Sequence, residues 1–449
     1  MTGRLNFMHR SWGPLEPFDY TFPQALADSG VYTHMITDHY HYWEEGGATY
    51  HTKYDSFEFI RGQEGDCWKG VVAPDWKELQ KKYHPSQFRD SGRNKFSRRI
   101  VNHEYINADT DLPARQCFDR TFDFLDINRD ADDWLLQLET FDPHEPFVAP
   151  QRFRDNHHTG YNGPILDWPP YARVTETSEE ADELRANYRA TLEHCDALLG
   201  DLLDYFDAHD MWKDTALVVT TDHGFLLGEH EWWAKVFMPC YNEIAHIPLF
   251  VHHPDHMDQD GTRRSALTQS TDIGPTLVDF HCQKPLPHAD GHSLFSVLDK
   301  DHAVREAAIF GIFGSAVNVT DGRYSYFRYP TDMHAENLYQ YTLMPTHMTQ
   351  PFTTEELACA ELISPLSFTN GVPVLRIPCT PVSPYYKRHG PDVQHDAGTV
   401  LFDLQSDPGQ NSPIADAVIE HRLIEHMVAA MKQNGAPSEL FERLGLNPD

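Results

Sequence analysis

The chain has 449 residues, 40% of them hydrophobic, and a formal net charge of −32 from 36 basic and 68 acidic residues. This composition fits a folded globular protein and argues against disorder over most of the length. A charge this negative argues against nucleic acids and anionic membrane surfaces as partners. No run reaches the ~18 apolar residues that a membrane-spanning helix needs.

Local patterns predict alternating helices and strands, which is typical of an α/β fold with a mostly parallel sheet. The first unit is a short helix that ends at Gly30, followed by a β-branched and aromatic strand. A long amphipathic helix begins after Thr177, which can form a capping box with Glu180. In chain order, the predicted elements are helix 24–30, strand 31–37, strand 134–140, helix 178–209, strand 216–221, strand 248–252 and helix 272–280.

The remaining chain divides into a region without periodicity and a C-terminal region of different character. Residues 43–110 have no sustained period, so we predict long loops with short elements over a functional face. We predict an α/β domain over residues 1–300 and a smaller α+β subdomain over residues 301–449, with a final helix near 415–432. The seven cysteines lack zinc-knuckle spacing and argue against a disulfide framework.

An aspartate–histidine pair at the end of a predicted strand carries the strongest chemical signal. Asp222 and His223 follow the apolar strand 216–221, which its continuous apolar character predicts to be buried, and Gly224 permits a sharp turn after them. Ligands of open α/β sheets bind at the carboxyl ends of strands. Carboxylate and neutral imidazole both bind divalent metals. The alternative is structural: Asp222 caps the turn and His223 packs.

A second candidate, His144, follows the predicted strand 134–140. Pro143 and Pro146 flank it closely and prevent helix formation there. A histidine held at a strand end in this way suits general acid catalysis, although a structural loop histidine would have the same pattern. His144 is therefore interpreted as functional only because other segments of the chain match the same enzyme family.

Four segments resemble one enzyme family in order and spacing. Residues 220–235 read TTDHGFLLGEHEWWAK and resemble the sulfatase pattern T-S-D-H-G-x-x-L-G-E-H-x-x-W-x-K. Residues 142–147 (DPHEPF) resemble the P-H-x-P-F segment of the same family, and residues 271–277 (TDIGPTL) and 401–408 (LFDLQSDP) resemble two of its structural segments. The chain thus resembles the sulfatases of the alkaline-phosphatase superfamily over most of its length.

The resemblance implies an alkaline-phosphatase-like sheet and metal-dependent hydrolysis of a sulfate ester, carried by a small molecule or a carbohydrate. By resemblance, Asp222 and His223 are metal ligands, Lys235 clamps the sulfuryl group, and His144 contacts the leaving oxygen. Calcium is the expected ion, with manganese and zinc as alternatives. The oligomeric state is left open, as is the compartment, cytoplasmic or periplasmic.

One departure from the family pattern lies after the strand 31–37. Where the family has G-K-W-H, residues 37–40 read TDHY, so Asp38 replaces a lysine and Tyr40 a histidine. We expect His39, Tyr40 and His41 to supply substrate contacts instead. The missing lysine favours a rival function modestly: a phosphodiesterase or phosphonate monoester hydrolase of the same superfamily.

A second departure concerns the nucleophile. The segment Thr2-Gly3-Arg4 resembles the T-G-R that follows the family's C-x-P-S-R motif, so the formylglycine nucleophile, the Asp-Asp metal ligands and a central strand are expected to be missing. Residues 379–383 (CTPVS) lack the arginine and lie out of order, so we interpret them as unrelated. We predict that this chain is inactive or nearly so: a fragment of an enzyme, or a non-catalytic anion-binding descendant.

Overall fold

The computed structural model of the protein describes residues 1–88, 95–282 and 284–448. Its helices are α1 (Phe22–Ala27), α2 (Trp76–Lys82), α3 (Lys95–His103), α4 (Pro113–Ile127), α5 (Gln151–Asn156), α6 (Ser178–His209), α7 (Asn242–Ala245), α8 (Ile273–Cys282), α9 (Phe295–Lys300), α10 (Thr354–Leu357), α11 (Pro384–Arg388), α12 (Ala417–Gln433) and α13 (Ser438–Arg443). Its strands are β1 (Tyr32–Thr37), β2 (Ser56–Phe59), β3 (Trp134–Glu139), β4 (Leu217–Thr220), β5 (Leu226–Leu227), β6 (Trp233–Ala234), β7 (Leu249–His252), β8 (Ala308–Gly311), β9 (Val317–Thr320), β10 (Tyr324–Arg328), β11 (Tyr339–Thr342), β12 (Glu361–Ile363), β13 (Val374–Pro378) and β14 (Val400–Asp403).

A parallel sheet in the order β2-β1-β3 organises the first half of the chain. Neighbouring residues of β1 point to opposite faces of this sheet. Ile36 packs in a cluster with α4 and α6, whereas Met35 packs in a cluster with α1 and α8. Helices therefore cover both faces, as parallel sheets require. This arrangement confirms the predicted α/β fold and the strands at 31–37 and 134–140.

The strand before Asp222 differs from its prediction. β4 pairs antiparallel with β7 alone, and within the described ranges no ladder joins it to β3. Its residues are partly or fully exposed, and Phe250 of β7 is 67% exposed. The prediction of a buried strand was therefore wrong, because apolar character does not reveal how many neighbours a strand has. Leu217 still packs in the same core cluster as Leu136 and Leu138 of β3.

The predicted long helix is confirmed as α6. Thr177 and Glu180 form the expected capping box, and Asp210 ends the helix in the left-handed region. The first predicted helix is shorter than expected, because α1 ends at Ala27 and Gly30 forms the turn that enters β1 with φ +90°. The final helix near 415–432 is confirmed as α12.

The C-terminal region contains two antiparallel sheets, in the orders β14-β10-β9-β8 and β11-β13-β12. α12 and α13 pack on the first sheet, together with Met8 from the start of the chain. Phe18 packs on the second. Residues near the N-terminus thus belong to the core of the C-terminal region, and the division at residue 300 stays a prediction. None of the described helices has the length and apolar character to cross a membrane.

Candidate active site

The loop after β4 presents Asp222 and His223 at one edge of the molecule. Gly224 is required here, because a Cβ at this position would lie 1.9 Å from the backbone oxygen of Glu243. The backbone N–H of Gly224 donates to the carbonyl of Ile244 at 2.8 Å, which fixes the turn. The sharp turn predicted from the sequence is therefore imposed by close packing of residues 243–244.

Lys235 reaches the same place from the hairpin formed by β5 and β6. Its Nζ lies 3.1 Å from Nε2 of His223, and the residue is only 8% exposed. The neighbouring residues Ala234 and Val236 have φ of +74° and +83°, a costly conformation for side chains other than glycine. The fold thus holds the Lys235 ammonium in position at the expense of backbone strain.

His223 and Asp222 complete this group. The Nδ1 of His223 lies 3.0 Å from the carbonyl oxygen of Gly224, so a neutral ring donates there and leaves Nε2 as an acceptor. Burial and the charge of Lys235 both lower the pKa of His223, which favours this neutral state. Asp222 Oδ2 lies 3.4 Å from Nε2 of His223, and the Asp222 side chain is 81% exposed.

His144 lies in the loop after β3, with cis peptide bonds before Pro143 and Pro146. Its Nδ1 lies 2.7 Å from the carbonyl oxygen of Glu145, so a neutral ring again offers Nε2 as an acceptor. Burial lowers the pKa of His144 to about 4; the carboxylate of Glu145 opposes this shift and the charge of Lys235 adds to it. His144 is therefore neutral near pH 7, which differs from the general acid expected from the sequence.

Two buried carboxylates join the group, and neither was predicted from the sequence. Glu145 is fully buried and accepts a hydrogen bond from the hydroxyl of Tyr171. Glu64 is 1% exposed and contacts Lys95 Nζ at 2.5 Å. Burial works to raise the pKa of Glu64, but nearby positive groups, first Lys95 and then His144, lower it to about 2. Glu64 lies in the region without sequence periodicity, and Glu145 occupies the position that the P-H-x-P-F segment leaves unspecified.

The segment after β1 contributes less than expected. His39 Nδ1 lies 2.7 Å from Oε1 of Glu139, and Tyr40 is buried. His41 contacts Glu44 and lies 3.6 Å from Oε2 of Glu64. Of the three predicted substrate contacts, Tyr40 and His41 therefore both interact with the buried carboxylate of Glu64, whereas His39 contacts Glu139.

Asp38, which replaces the family's lysine, is fully buried. Its Oδ1 accepts a hydrogen bond from the backbone N–H of Phe141 at 2.8 Å, which ties β1 to the loop that carries His144. Burial raises the pKa of Asp38 well above its usual value, and Asp142 adds to the shift. The residue is therefore part of the scaffold of the loop and presents no cation to a substrate.

The donor atoms suit a metal ion in type but not in number. The Asp222 carboxylate and the His223 Nε2 are both ligands that divalent cations accept. Across the described residues, however, no group of three or more His, Cys, Asp or Glu side chains is arranged to hold an ion. Catalytic metal sites have about three protein ligands, so we derive no reaction step through a metal.

Among residues 1–88, 95–282 and 284–448, no serine or cysteine side chain hydrogen bonds to Lys235, His144 or His223. Cys379 is 2% exposed, and burial raises the pKa of its thiol to about 12. The segment 379–383 therefore has a packing role, consistent with its interpretation as unrelated to the C-x-P-S-R motif.

Solved structures share this fold. A protein in complex with D-glucosamine-2-N,6-O-disulfate aligns with a TM-score of 0.61 and 14% identity over 97% of this chain and 86% of the other. The phosphonate monoester hydrolase of Agrobacterium radiobacter aligns with a TM-score of 0.59 and 15% identity over 96% and 84%. The chain therefore has the same alkaline-phosphatase-like α/β fold as these two proteins.

The sequence places the chain more narrowly. A family model described as Sulfatase matches residues 2–280, and one described as N-sulphoglucosamine sulphohydrolase, C-terminal, matches residues 228–366. The chain therefore belongs to the sulfatase family, whose members are sulfuric ester hydrolases and generally use a divalent metal ion.

Curated relatives match over parts of their length. The N-acetylglucosamine-6-O-sulfatase of Bacteroides thetaiotaomicron is 35% identical over 115 residues, which are 26% of this chain and 20% of that protein. The choline-sulfatase of Rhizobium meliloti is 26% identical over 229 residues, 44% of each chain. The chain thus spans less than half the length of these two relatives.

Proposed function

We propose that the cleft formed by Asp222, His223, Lys235 and His144 binds the sulfate group of a small-molecule or carbohydrate ester. One observation carries this proposal: a largely buried ammonium group lies 3.1 Å from a neutral imidazole, with a second neutral imidazole nearby. A cation with little solvent around it attracts an anion strongly, because water screens the charge poorly there.

The chemistry of the cleft suits ester hydrolysis in which charge develops on a transferred group. Lys235 donates hydrogen bonds to the sulfuryl oxygens and stabilises their charge. His144, neutral and fixed by its Nδ1 hydrogen bond, offers Nε2 as a base for an O–H group at the site, and once Nε2 has taken up that proton it can donate it to the leaving oxygen. Calcium remains the predicted ion, with manganese or zinc as alternatives, and Asp222 and His223 would supply two of its ligands.

We further propose that the chain binds esters but turns them over slowly or not at all. This proposal is supported by two observations on the described residues: no serine or cysteine side chain hydrogen bonds to Lys235, His144 or His223, and no three His, Cys, Asp or Glu side chains are arranged to hold an ion. Binding of the anion needs only the Lys235 cation, whereas hydrolysis also needs a group that attacks sulfur. A non-catalytic anion-binding protein is therefore one of two alternatives to a sulfatase-like hydrolase of low or no activity.

The other alternative is a phosphonate monoester or phosphodiester hydrolase. It is favoured by Asp38, which is buried in the place of the family's lysine, so the site has one cation fewer for a sulfate. A phosphonate monoester is also a monoanion, so its binding depends on the positive charge of Lys235 in the same way.

A matched panel tests the three candidates. An aryl sulfate, an aryl phosphonate monoester and an aryl phosphodiester are each measured for turnover and for binding, with wild type and Lys235→Met. We expect tightest binding of the sulfate, loss of that binding in Lys235→Met, and little turnover of any compound. Lys213→Met is the matched control, because Lys213 precedes β4 at the other end from Asp222. Sulfate binding that survives Lys235→Met contradicts the proposed site.

A further inference from the structure

The turn that carries Asp222 and His223 is held by a distant segment of the chain. The backbone N–H of Gly224 donates to the carbonyl of Ile244 at 2.8 Å, and the backbone oxygen of Glu243 lies where a Cβ of residue 224 would be. Within the described ranges, β4 pairs with β7 alone, so the sheet constrains this turn only weakly. The position of Asp222 and His223 therefore depends on what holds residues 243–244.

A histidine–glutamate pair holds that segment. His230 Nε2 lies 3.6 Å from Oε2 of Glu243, and both atoms are buried without a hydrogen-bond partner among the described residues. The ring of His230 also stacks on the ring of Tyr241, with centroids 3.6 Å apart and an angle of 8°. Burial works to raise the pKa of Glu243, but the nearby His230 brings it below its usual value. Each of these buried polar atoms thus has the other as its neighbour, and loss of either leaves the other uncompensated.

The backbone at His230 is strained. Its φ of +54° and ψ of +20° lie in the left-handed region, and Glu231 follows with φ of +62°. Such conformations persist only where the surroundings enforce them, and they cluster at functional sites. The guanidinium of Arg173 contributes here, because its Nη1 donates to the carbonyl of His230 at 3.0 Å. The same strained segment continues through β6 to Lys235.

We propose that His230 and Glu243 are positioning residues of the anion site. His230 belongs to the segment that carries Lys235, and Glu243 belongs to the segment that supports the turn of His223. Their contact therefore joins the two sides of the 3.1 Å contact between Lys235 Nζ and His223 Nε2. The inference rests on the proposed function, in which Lys235 binds the sulfate. Loss of the pair frees the turn, and the site is then less well organised for an anion.

Two measurements on the same variants test this role. Isothermal titration with sodium sulfate gives the affinity, and hydrogen-exchange NMR gives the exchange rate of the Gly224 amide. His230→Asn keeps a residue type that tolerates the left-handed region but cannot reach Glu243. We expect it to weaken sulfate binding about fivefold and to accelerate Gly224 exchange at least about tenfold.

The second variant is Glu243→Gln, which keeps the shape and a group that can contact His230. We expect smaller changes of both readouts in the same direction, and a double variant no worse than His230→Asn, because the two residues act as one unit. If His230→Asn does not fold, the changes in Glu243→Gln decide: an unchanged affinity and an unchanged exchange rate contradict the role.

A similar pair elsewhere in the fold is the matched control. His347 Nε2 lies 3.0 Å from both carboxylate oxygens of Glu356, and its ring stacks on the ring of Phe352 with centroids 4.3 Å apart. His347→Asn is expected to lower the free energy of unfolding, as measured with urea, and to leave sulfate affinity and Gly224 exchange at their wild-type values. This comparison separates a positioning role from a general loss of stability.

The outcomes also separate this inference from the proposed function. Unchanged Gly224 exchange in His230→Asn, or an equal acceleration in His347→Asn, overturns the positioning role and leaves that of Lys235 intact. Faster exchange with unchanged sulfate affinity overturns it as well, because the turn would then not set the anion site. Sulfate binding in wild type no tighter than in Lys235→Met overturns the proposed function itself, and Gly224 exchange still decides whether the pair holds the turn.

Discussion

The Nζ of Lys235 lies 3.1 Å from the Nε2 of His223, so a cation occupies the lone pair of the imidazole that a metal ion would take. The direction of this hydrogen bond follows from the other side of the ring, where Nδ1 donates to the carbonyl of Gly224. The pair therefore acts as a unit. Binding of an anion at Lys235 or of a cation at His223 has to rearrange the same contact.

Replacement of Lys235 by methionine is the most direct test of the anion site. The change removes the ammonium and keeps most of the apolar stem, so the fold is expected to persist. We expect sulfate affinity to fall at least about tenfold, the loss typical of a charged hydrogen bond. Isothermal titration with sodium sulfate measures it. Lys213→Met keeps wild-type affinity, and an equal loss in that control contradicts a specific site.

Anion binding in wild type is also expected to depend on pH. Burial lowers the pKa of Lys235 below 10.5, and Glu145 and Asp222 oppose the shift only in part. The ammonium is present below this lowered pKa and is lost as pH rises through it, so affinity declines before pH 10.5. Titrations from pH 7 to pH 10.5 show this decline. Constant affinity across that range would show that Lys235 is not the anion's partner.

Local patterns were sufficient to predict the elements that hold the site. The sequence predicts β1, β3 and α6 because the residues that form each segment contain the whole signal, either a strand-like or helical pattern or a helix cap. The exposure of β4 did not follow, because it depends on which strands lie beside it. That information is distributed over distant parts of the chain and leaves no trace in the run of apolar residues.

Site residues were predictable only where a motif specifies them. Asp222, His223 and Lys235 lie together in the structure as one continuous motif suggests. Glu64 and Lys95 come from a region without period, and Glu145 fills an unspecified position of its motif, so neither carboxylate was found. The neutral state of His144 depends on its burial and on a backbone carbonyl, which are properties of the folded chain.

Glu145 is expected to control the protonation of His144. Its carboxylate lies 3.4 Å from Nδ1 of His144 and raises the pKa of that ring against the effect of burial. Glu145→Gln keeps the shape and removes the charge. We therefore expect the pKa of His144 to fall below its value of about 4, as measured by NMR titration of the ring protons.

A matched control exists elsewhere in the fold. Glu356 is also buried, lies 3.0 Å from Nε2 of His347 and accepts a hydrogen bond from Ser383. Glu356→Gln is expected to leave the titration of His144 unchanged, although it removes a carboxylate from a similar environment. A rise in the pKa of His144 in Glu145→Gln would contradict the assigned role of Glu145.

Asp142 is expected to make the protein less stable as pH rises. Burial raises the pKa of Asp142 from 3.8 to about 7. Between these values the folded state holds a proton that the unfolded state has lost, so the free energy of unfolding falls with rising pH. Asp142→Asn removes this fall in the free energy of unfolding and keeps an oxygen that accepts the hydrogen bond from Gln63 Nε2. We expect a gain of about 2–4 kcal/mol at pH 8 and little change at pH 4.

Urea unfolding at pH 4, 6 and 8 measures this effect. Asp130→Asn serves as the control, because Asp130 is an exposed carboxylate in the loop before β3. We expect its stability to follow that of wild type at all three values. A destabilised Asp142→Asn protein at pH 8 would show that the ionised carboxylate is stabilised by its surroundings.

Competition between Lys235 and a metal ion gives the last prediction. Two protein donors bind a divalent ion weakly, with a dissociation constant on the order of 10⁻³ M. Because Lys235 occupies Nε2 of His223 and repels a cation, Lys235→Met is expected to tighten manganese binding about tenfold, whereas Asp222→Asn weakens it. Water-proton relaxation during a Mn²⁺ titration reports binding without any need for activity. Lys213→Met should match wild type, and weaker binding in Lys235→Met would mean that the amine supports the ion site and does not compete with it.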